Sequence, residues 1–115
     1  MERKIVQLTV FTPAYNRADL LPRCYESMKR QTNKNFIWMI IDDGSTDSTG
    51  KICDEYVCTD ERIIVLHHEK CQGISCVRND GINMARGRYI MFVDSDDYIA
   101  ENMIEKMYYF IKNTM

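Results

Sequence analysis

Apolar and polar positions along this chain fall into two rhythms that take turns. Continuous apolar runs of strand length stand at Ile5 to Thr12 (IVQLTVFT), Phe36 to Ile41 (FIWMII), Arg62 to Leu66 and Tyr89 to Val93. Between and after them, apolar residues recur at the three- and four-residue spacing of an amphipathic helix. Leu20, Leu21, Cys24 and Met28 share one such face, which predicts a helix from about residue 19 to 31. Pro22 fits that helix only in its first turn, which makes Asp19 the expected cap. Ile52 and Tyr56 mark the inner face of a second helix, capped by Asp47 or Ser45. Ile74, Val77, Gly81, Ile82 and Ala85 mark a third, stopped by Gly87, and Met103, Ile104, Met107, Tyr108 and Ile111 a fourth. Pro13, which has no N–H to give, is expected to end the first strand.

Strict alternation of strand and helix, with strands apolar throughout, predicts an α/β fold. The sheet should be Rossmann-like, mostly parallel and covered by helices on both faces. Right-handed crossovers with one reversal after the third strand give the order 3-2-1-4. Tyr89 to Val93 reads as a strand buried on both sides. Ligands of such sheets bind outside the carboxyl ends of the strands, where strand order reverses. Three polar clusters leave strands on that edge: Thr12-Pro13-Ala14-Tyr15-Asn16, Asp42-Asp43-Gly44-Ser45 and Asp94-Ser95-Asp96-Asp97. The fold therefore gathers acids into one crevice.

Bulk properties narrow the field. At 115 residues and 13.6 kDa the chain is one domain or part of one. A net charge of −2 and no basic stripe argue against a nucleic-acid partner. The apolar runs are too short to span a bilayer, and Glu2, Arg3 and Lys4 do not open a signal peptide, so the expected location is the cytoplasm. A longer parent protein could still sit peripherally at the membrane. Cys24, Cys53, Cys58, Cys71 and Cys76 are odd in number and lack metal spacing, as expected of reduced thiols. His67 and His68 are expected to end the third strand and carry no assigned chemistry.

Asp94, Asp96 and Asp97 crowd three carboxylates into four positions. Such repulsion near a core costs several kcal/mol unless a cation is shared. Asp-x-Asp at a strand end suits a hard cation, Mg2+ or Mn2+, that bridges protein to a phosphorylated ligand. The competing interpretation is a solvated turn and helix cap; the second acidic exit at Asp42-Asp43 tips the balance toward a site. Arg78, on or beside the apolar face of the third helix, needs an anion such as phosphate unless it snorkels into solvent. Tyr15 could stack on a base or simply pack its loop. No strand is followed by a Walker loop or by G-x-G-x-x-G, which argues against a dinucleotide-binding module.

The set FTPAYNRADLLPRCYESMKRQT, IIDDGSTDST and GISCVRNDGINMARGRYIMFVDSDDYI resembles the nucleotide-sugar-binding half of family 2 glycosyltransferases, the GT-A fold. The resemblance covers nearly the whole chain, with four motifs in the family's order. It implies that Pro13, Ala14 and Tyr15 flank the nucleobase and that Asp43 accepts a base N–H, as uracil offers. It implies Arg78 near the diphosphate with Asn79 beside it, Asp94 near the ribose, Asp96 as the metal ligand and Asp97 supporting it from behind. Val77 stands where the family carries a small residue.

The implied reaction transfers a sugar from a nucleoside diphosphate sugar, a UDP-sugar by this pattern, to an acceptor hydroxyl with inversion. The implied setting is glycan or polysaccharide biosynthesis, with a glycan or lipid-linked acceptor. Family members continue into an acceptor-binding half that carries the general base. No catalytic residue is therefore assigned within residues 1–115, and the base is expected beyond Met115. The chain is expected to be the donor-binding domain of something longer, inactive by itself and prone to self-association. Among rivals, a receiver-type domain lacks its acids after the first strand, where Thr12 and Pro13 stand. A dehalogenase-like phosphatase would need further motifs after Asp97. A non-catalytic nucleotide-binding module remains the alternative.

Overall fold

The computed structural model describes residues 8–114. Its elements alternate as β1 (Leu8–Ala14), α1 (Leu21–Lys29), β2 (Ile37–Asp42), α2 (Thr49–Thr59), β3 (Ile63–His67), α3 (Ile74–Met84), β4 (Tyr89–Phe92) and α4 (Met103–Thr114). The part of the first expected strand from Ile5 to Gln7 lies outside the described residues, as does Met115. All strand pairs are parallel, in the expected order β3-β2-β1-β4.

Side chains of a strand alternate between faces, and here each face builds its own core. Leu8, Val10 and Ala14 of β1 and Trp38 and Ile40 of β2 meet Leu21, Cys24 and Met28 of α1, Cys53 of α2 and Ile104 of α4. Phe11, Met39 and Ile41 point the other way, onto Val77 of α3. Helices therefore lie on both faces, but only α3 covers the second one. Gly81 brings α3 down onto the sheet: a Cβ there would stand 2.8 Å from the Phe11 ring. Trp38 is buried with its indole N–H donated to Thr12 Oγ1 at 2.8 Å, so the one polar atom of this large core residue is satisfied.

Several expectations need correction. Pro13 does not end β1; the strand runs on to Ala14, with Pro13 opposite Ile41. Phe11 O accepts the Val93 N–H on the β4 side, and Pro13, two residues on, faces that same side after β4 has stopped at Phe92. The N–H that proline lacks is not called for there. Asp19 does not cap α1; Leu20 is the N-cap without a side-chain bond, because Arg17 O already accepts the N–H groups of Leu20 and Leu21. Ser48, not Ser45 or Asp47, occupies the N-cap of α2, although Asp47 Oδ1 accepts the Thr49 N–H at 2.9 Å.

On α3, Val77 and Gly81 are buried, but Ile74 and Ile82 are exposed, since the helix meets the sheet along one narrow line. The helix stops at Met84, before Gly87 is reached, although Gly87 does take a left-handed φ of 83°. Strand β4 is half-buried, not enclosed on both faces: it is an edge strand, and Phe92 remains 49% exposed beside the Phe11 ring.

Candidate functional site

The three polar exits converge as the topology requires. A cleft of about 350 Å³ opens at the carboxyl ends of β1, β2 and β4, walled by Pro13, Ala14, Tyr15, Asp43, Asp94 and Asp96. Arg17, Ser95 and, from the loop after β3 and the start of α3, Cys71, Gly73, Ile74 and Val77 complete its lining. Parallel strands end level with one another, so acids placed at strand ends become neighbours in space.

The loops that carry these groups are stitched together. Asn16 takes a positive φ of 51°, a conformation asparagine tolerates better than most residues. Its side-chain oxygen accepts the N–H groups of Thr46 at 2.8 Å and Asp47 at 3.3 Å, while its own N–H is donated to Ser45 Oγ. The β1 and β2 exits are thus tied to each other.

The acidic loop after β4 offers one carboxylate oxygen each from Asp94, Asp96 and Asp97, all within 4.8 Å of one another. It is the one such cluster of metal-ligating side chains among the described residues. Three hard oxygen donors this close, open to solvent, match what Mg2+ or Mn2+ takes, with remaining positions left to water or phosphate. Two residues hold this loop from behind. Arg23 donates to the Asp96 carbonyl at 2.9 Å, with its guanidinium 4.6 Å from the Tyr98 ring centre. Gln31, buried at 1% exposure, donates to Ala100 O at 2.7 Å and accepts the Ile104 N–H at 3.0 Å. One amide side chain therefore fixes both the end of the loop and the first turn of α4.

Asp43 is buried and saturated. Oδ1 accepts from His68 Nδ1 at 2.8 Å and from the Gln72 N–H at 2.9 Å. Oδ2 accepts from the Gly73 N–H at 3.1 Å and from the Cys71 thiol at 3.3 Å. All four acceptor positions of the carboxylate are engaged. Burial pushes its pKa up, but the bonds from Gln72, His68, Cys71 and Gly73 together outweigh it and hold the carboxyl below the usual range.

Both histidines of the β3 end bridge two acids. In the parallel register Asp42 lies opposite His67, whose ring nitrogens meet Asp42 at 2.9 Å and Asp54 of α2 at 2.7 Å. His68 repeats this on the other face, with Asp43 at 2.8 Å and Asp80 of α3 at 2.8 Å. The bond to Asp43 raises the His68 pKa, burial opposes it, and Asp80 reinforces it, for a net rise. For His67 burial pulls down, but Asp54 and Asp42 win and the pKa again rises.

Of the residues singled out in the sequence, Pro13, Ala14, Tyr15, Asp43, Asp94 and Asp96 share the cleft. Asp97 joins the acidic cluster without lining the cleft. Arg78 and Asn79 are exposed on α3 beside cleft-lining Val77, outside the lining itself. The general base expected beyond Met115 lies outside the described residues. Sequence reasoning passed over His67, His68, Arg23 and Gln31. The histidines had a signal: a His-His pair ending one parallel strand beside an Asp-Asp pair ending its neighbour. Arg23 and Gln31 had none, since their partners are backbone atoms on remote loops.

Comparison with known proteins agrees with this geometry. The pattern of the family described as Glycosyl transferase family 2 matches residues 9–115. The chain is 45% identical over 101 residues to Glycosyltransferase GlyG of Streptococcus pneumoniae, covering 88% of this chain and 34% of that protein. It is 41% identical over 102 residues to Glycosyltransferase GlyA of the same organism, covering 89% of this chain and 14% of the other. The chain thus spans about a third or less of the length of these relatives. Among solved structures, S. aureus TarS residues 1–349 in complex with UDP-GlcNAc superposes with a TM-score of 0.86 at 29% identity, over 93% of this chain and 31% of that 1–349 chain. Sheet order, cleft and sequence match converge: this chain belongs to glycosyl transferase family 2 and carries its GT-A fold.

Proposed function

We propose that the cleft binds a nucleoside diphosphate sugar, specifically a uridine one, for transfer of the sugar to an acceptor hydroxyl with inversion. The observation that carries this is the convergence of Tyr15, Asp43, Asp94 and Asp96 on one cleft. Support comes from the likeness to TarS, whose structures hold UDP and UDP-GlcNAc. In this reading Pro13, Ala14 and Tyr15 flank the base, and Asp43 accepts its ring N–H. The Cys71 thiol, a weak donor at 3.3 Å, is the Asp43 partner that a base N–H displaces. Asp94 serves the ribose, and Arg78, with Asn79 beside it, serves the diphosphate.

The donor set of Asp94, Asp96 and Asp97 fits Mn2+ or Mg2+, with Asp96 as the principal ligand and Asp97 in support. When bound, such a cation neutralises charge on the departing diphosphate. The chain's own contribution is to hold that end rigid, through Arg23 and Gln31, and to bury the base end around Asp43. The carboxylates facing the cleft are committed to cation, ribose and base. The general base and the groove for a glycan or lipid-linked acceptor are therefore assigned to a second half following Met115, with this chain as the donor-binding domain of a cytoplasmic enzyme of polysaccharide synthesis. The exposed apolar residues Ile82, Met84 and Phe92 are a surface for that half or, without it, for self-association. No helix among the described residues is long and apolar enough to cross a membrane.

Calorimetry decides. UDP should bind with Mn2+ or Mg2+ present and much more weakly with EDTA, and Asp96→Ala should remove the difference. Equal affinities for wild type and Asp96→Ala would remove Asp96 as the metal ligand.

A further inference from the structure

We propose that His68 is a positioning residue of the nucleobase site, acting as an imidazolium that clasps Asp43 to helix α3 and making nucleotide affinity depend on pH. The inference rests on the reading of Asp43 as the base acceptor. Both His68 ring nitrogens face carboxylate oxygens at 2.8 Å, and an ionised carboxylate only accepts. Each nitrogen must therefore carry a hydrogen. A neutral ring would turn a lone pair toward one of the two acids. With its side chain only 7% exposed, His68 has little water to take over that contact.

The groups that face the ring come from each packed element: Asp43 from the β2 exit, Asp80 from α3, and the Cys71 thiol of the following loop by way of Asp43. His67 belongs to the opposite face and has its own pair of acids. No other charged group is bonded to the ring among the described residues.

The clasp does two things for the cleft. It anchors Oδ1 of Asp43 together with the Gln72 N–H, which leaves Oδ2 on the side of the Cys71 thiol. It also ties Asp43 to α3, the helix that carries Arg78 next to cleft-lining Val77. Loss of the second proton opens the clasp at one acid, so the base site and the helix lose their fixed relation. The raised pKa sets the sign: the clasp is complete at low pH and is lost as pH rises through the folded value, above the ordinary histidine value of about 6.5.

The test measures UDP affinity of the purified chain with saturating Mn2+ from about pH 5.5 to 8.5, a window that brackets ordinary histidine titration. The nucleotide's own titration is common to all proteins and cancels in ratios. Wild type should lose affinity about tenfold as pH rises, the loss of one charge-assisted bond at the site. His68→Gln, which keeps a donor and loses the charge, should bind weakly at low pH and show no such fall. Asp80→Asn puts an amide against the ring that can accept from it or donate to it, so the fall should shrink and what remains should move to lower pH. In wild type, nitrogen NMR should show both His68 ring nitrogens protonated at low pH and report the same midpoint as binding. Asp43→Ala, which removes the acceptor outright, separates the two ideas. If it leaves uridine binding intact, the assignment of Asp43 fails and takes the inference with it. If it abolishes binding while Asp80→Asn and His68→Gln keep the wild-type pH profile, the inference alone is overturned.

Discussion

Replacing Gly44 by alanine tests whether the loop after β3 is built onto the Asp43 turn. Gly44 has a φ of 70°, and a Cβ there would stand 2.5 Å from Cys71 N, 2.5 Å from the Lys70 carbonyl carbon and 2.9 Å from Lys70 Cα. These obstacles are backbone, so no side-chain rotation relieves them. The left-handed conformation costs alanine about 1–2 kcal/mol. Moving the 70–73 segment away strains the Gln72 and Gly73 N–H bonds to Asp43, and one lost bond to a charged acceptor costs about 1.5–3 kcal/mol. The expected loss is then about 2.5–5 kcal/mol, or a fall in Tm of more than about 10 °C for a domain of this size. Gly73→Ala is the control. Gly73 also has a positive φ, 93°, with ψ 160°, but a Cβ there meets nothing within 4 Å, so it should cost only the conformational strain, about 1–3 kcal/mol. Urea unfolding of the three proteins, read as midpoint at constant m-value, measures both losses. Gly44→Ala should also weaken UDP binding under conditions where it is still folded. A Gly44→Ala loss of only about 1–2 kcal/mol, the conformational strain alone, would refute the claim that this loop is wedged against the turn.

Stability should form a plateau in pH. The depressed Asp43 pKa means its contribution is full above the ordinary carboxylate value of about 3.9 and is lost as pH falls through the lower folded value. The raised His67 and His68 pKa values mean their contribution is full below about 6.5 and is lost as pH rises through the higher folded values. Urea midpoints that climb steadily through neutral to alkaline pH would contradict this. Thr12→Val strands the buried Trp38 N–H and should cost about 1–3 kcal/mol, with Thr12→Ser largely restoring stability, as followed by the fluorescence of the single tryptophan. Finally, the chain alone should bind a UDP-sugar yet show almost no transfer in a radiolabelled donor assay with mixed glycan and lipid acceptors, since positioning of the acceptor supplies a large share of rate enhancement. Robust metal-dependent transfer would mean that a base lies within these 115 residues, not beyond Met115, or is supplied by a second copy.

The sequence by itself determined the layout. Apolar runs such as FIWMII and IVQLTVFT, separated by helical periods, admit few arrangements once crossovers must be right-handed, so the sheet order and the edge where Asp43, Asp94 and Asp96 gather were legible before any coordinates. Local chemistry was legible in the same way, because Asp-x-Asp announces itself within four residues. What only the tertiary structure decided depends on contacts between residues far apart in the chain. Periodicity marks Ile74 and Ile82 as inward, but which helical positions are covered is set by how closely Gly81 lets α3 approach Phe11. The missing N–H of Pro13 reads as the end of β1, but whether it matters is set by where β4 ends. Asp43 reads in DDGS as an acid of the crevice, and only the packed loop shows four donors closing on it. His68 is a polar residue at a strand end until β2 and α3 bring an acid to each of its nitrogens. Propensity and pattern act over a turn or two of chain, whereas protonation and burial are set by whichever groups folding places within a few ångströms.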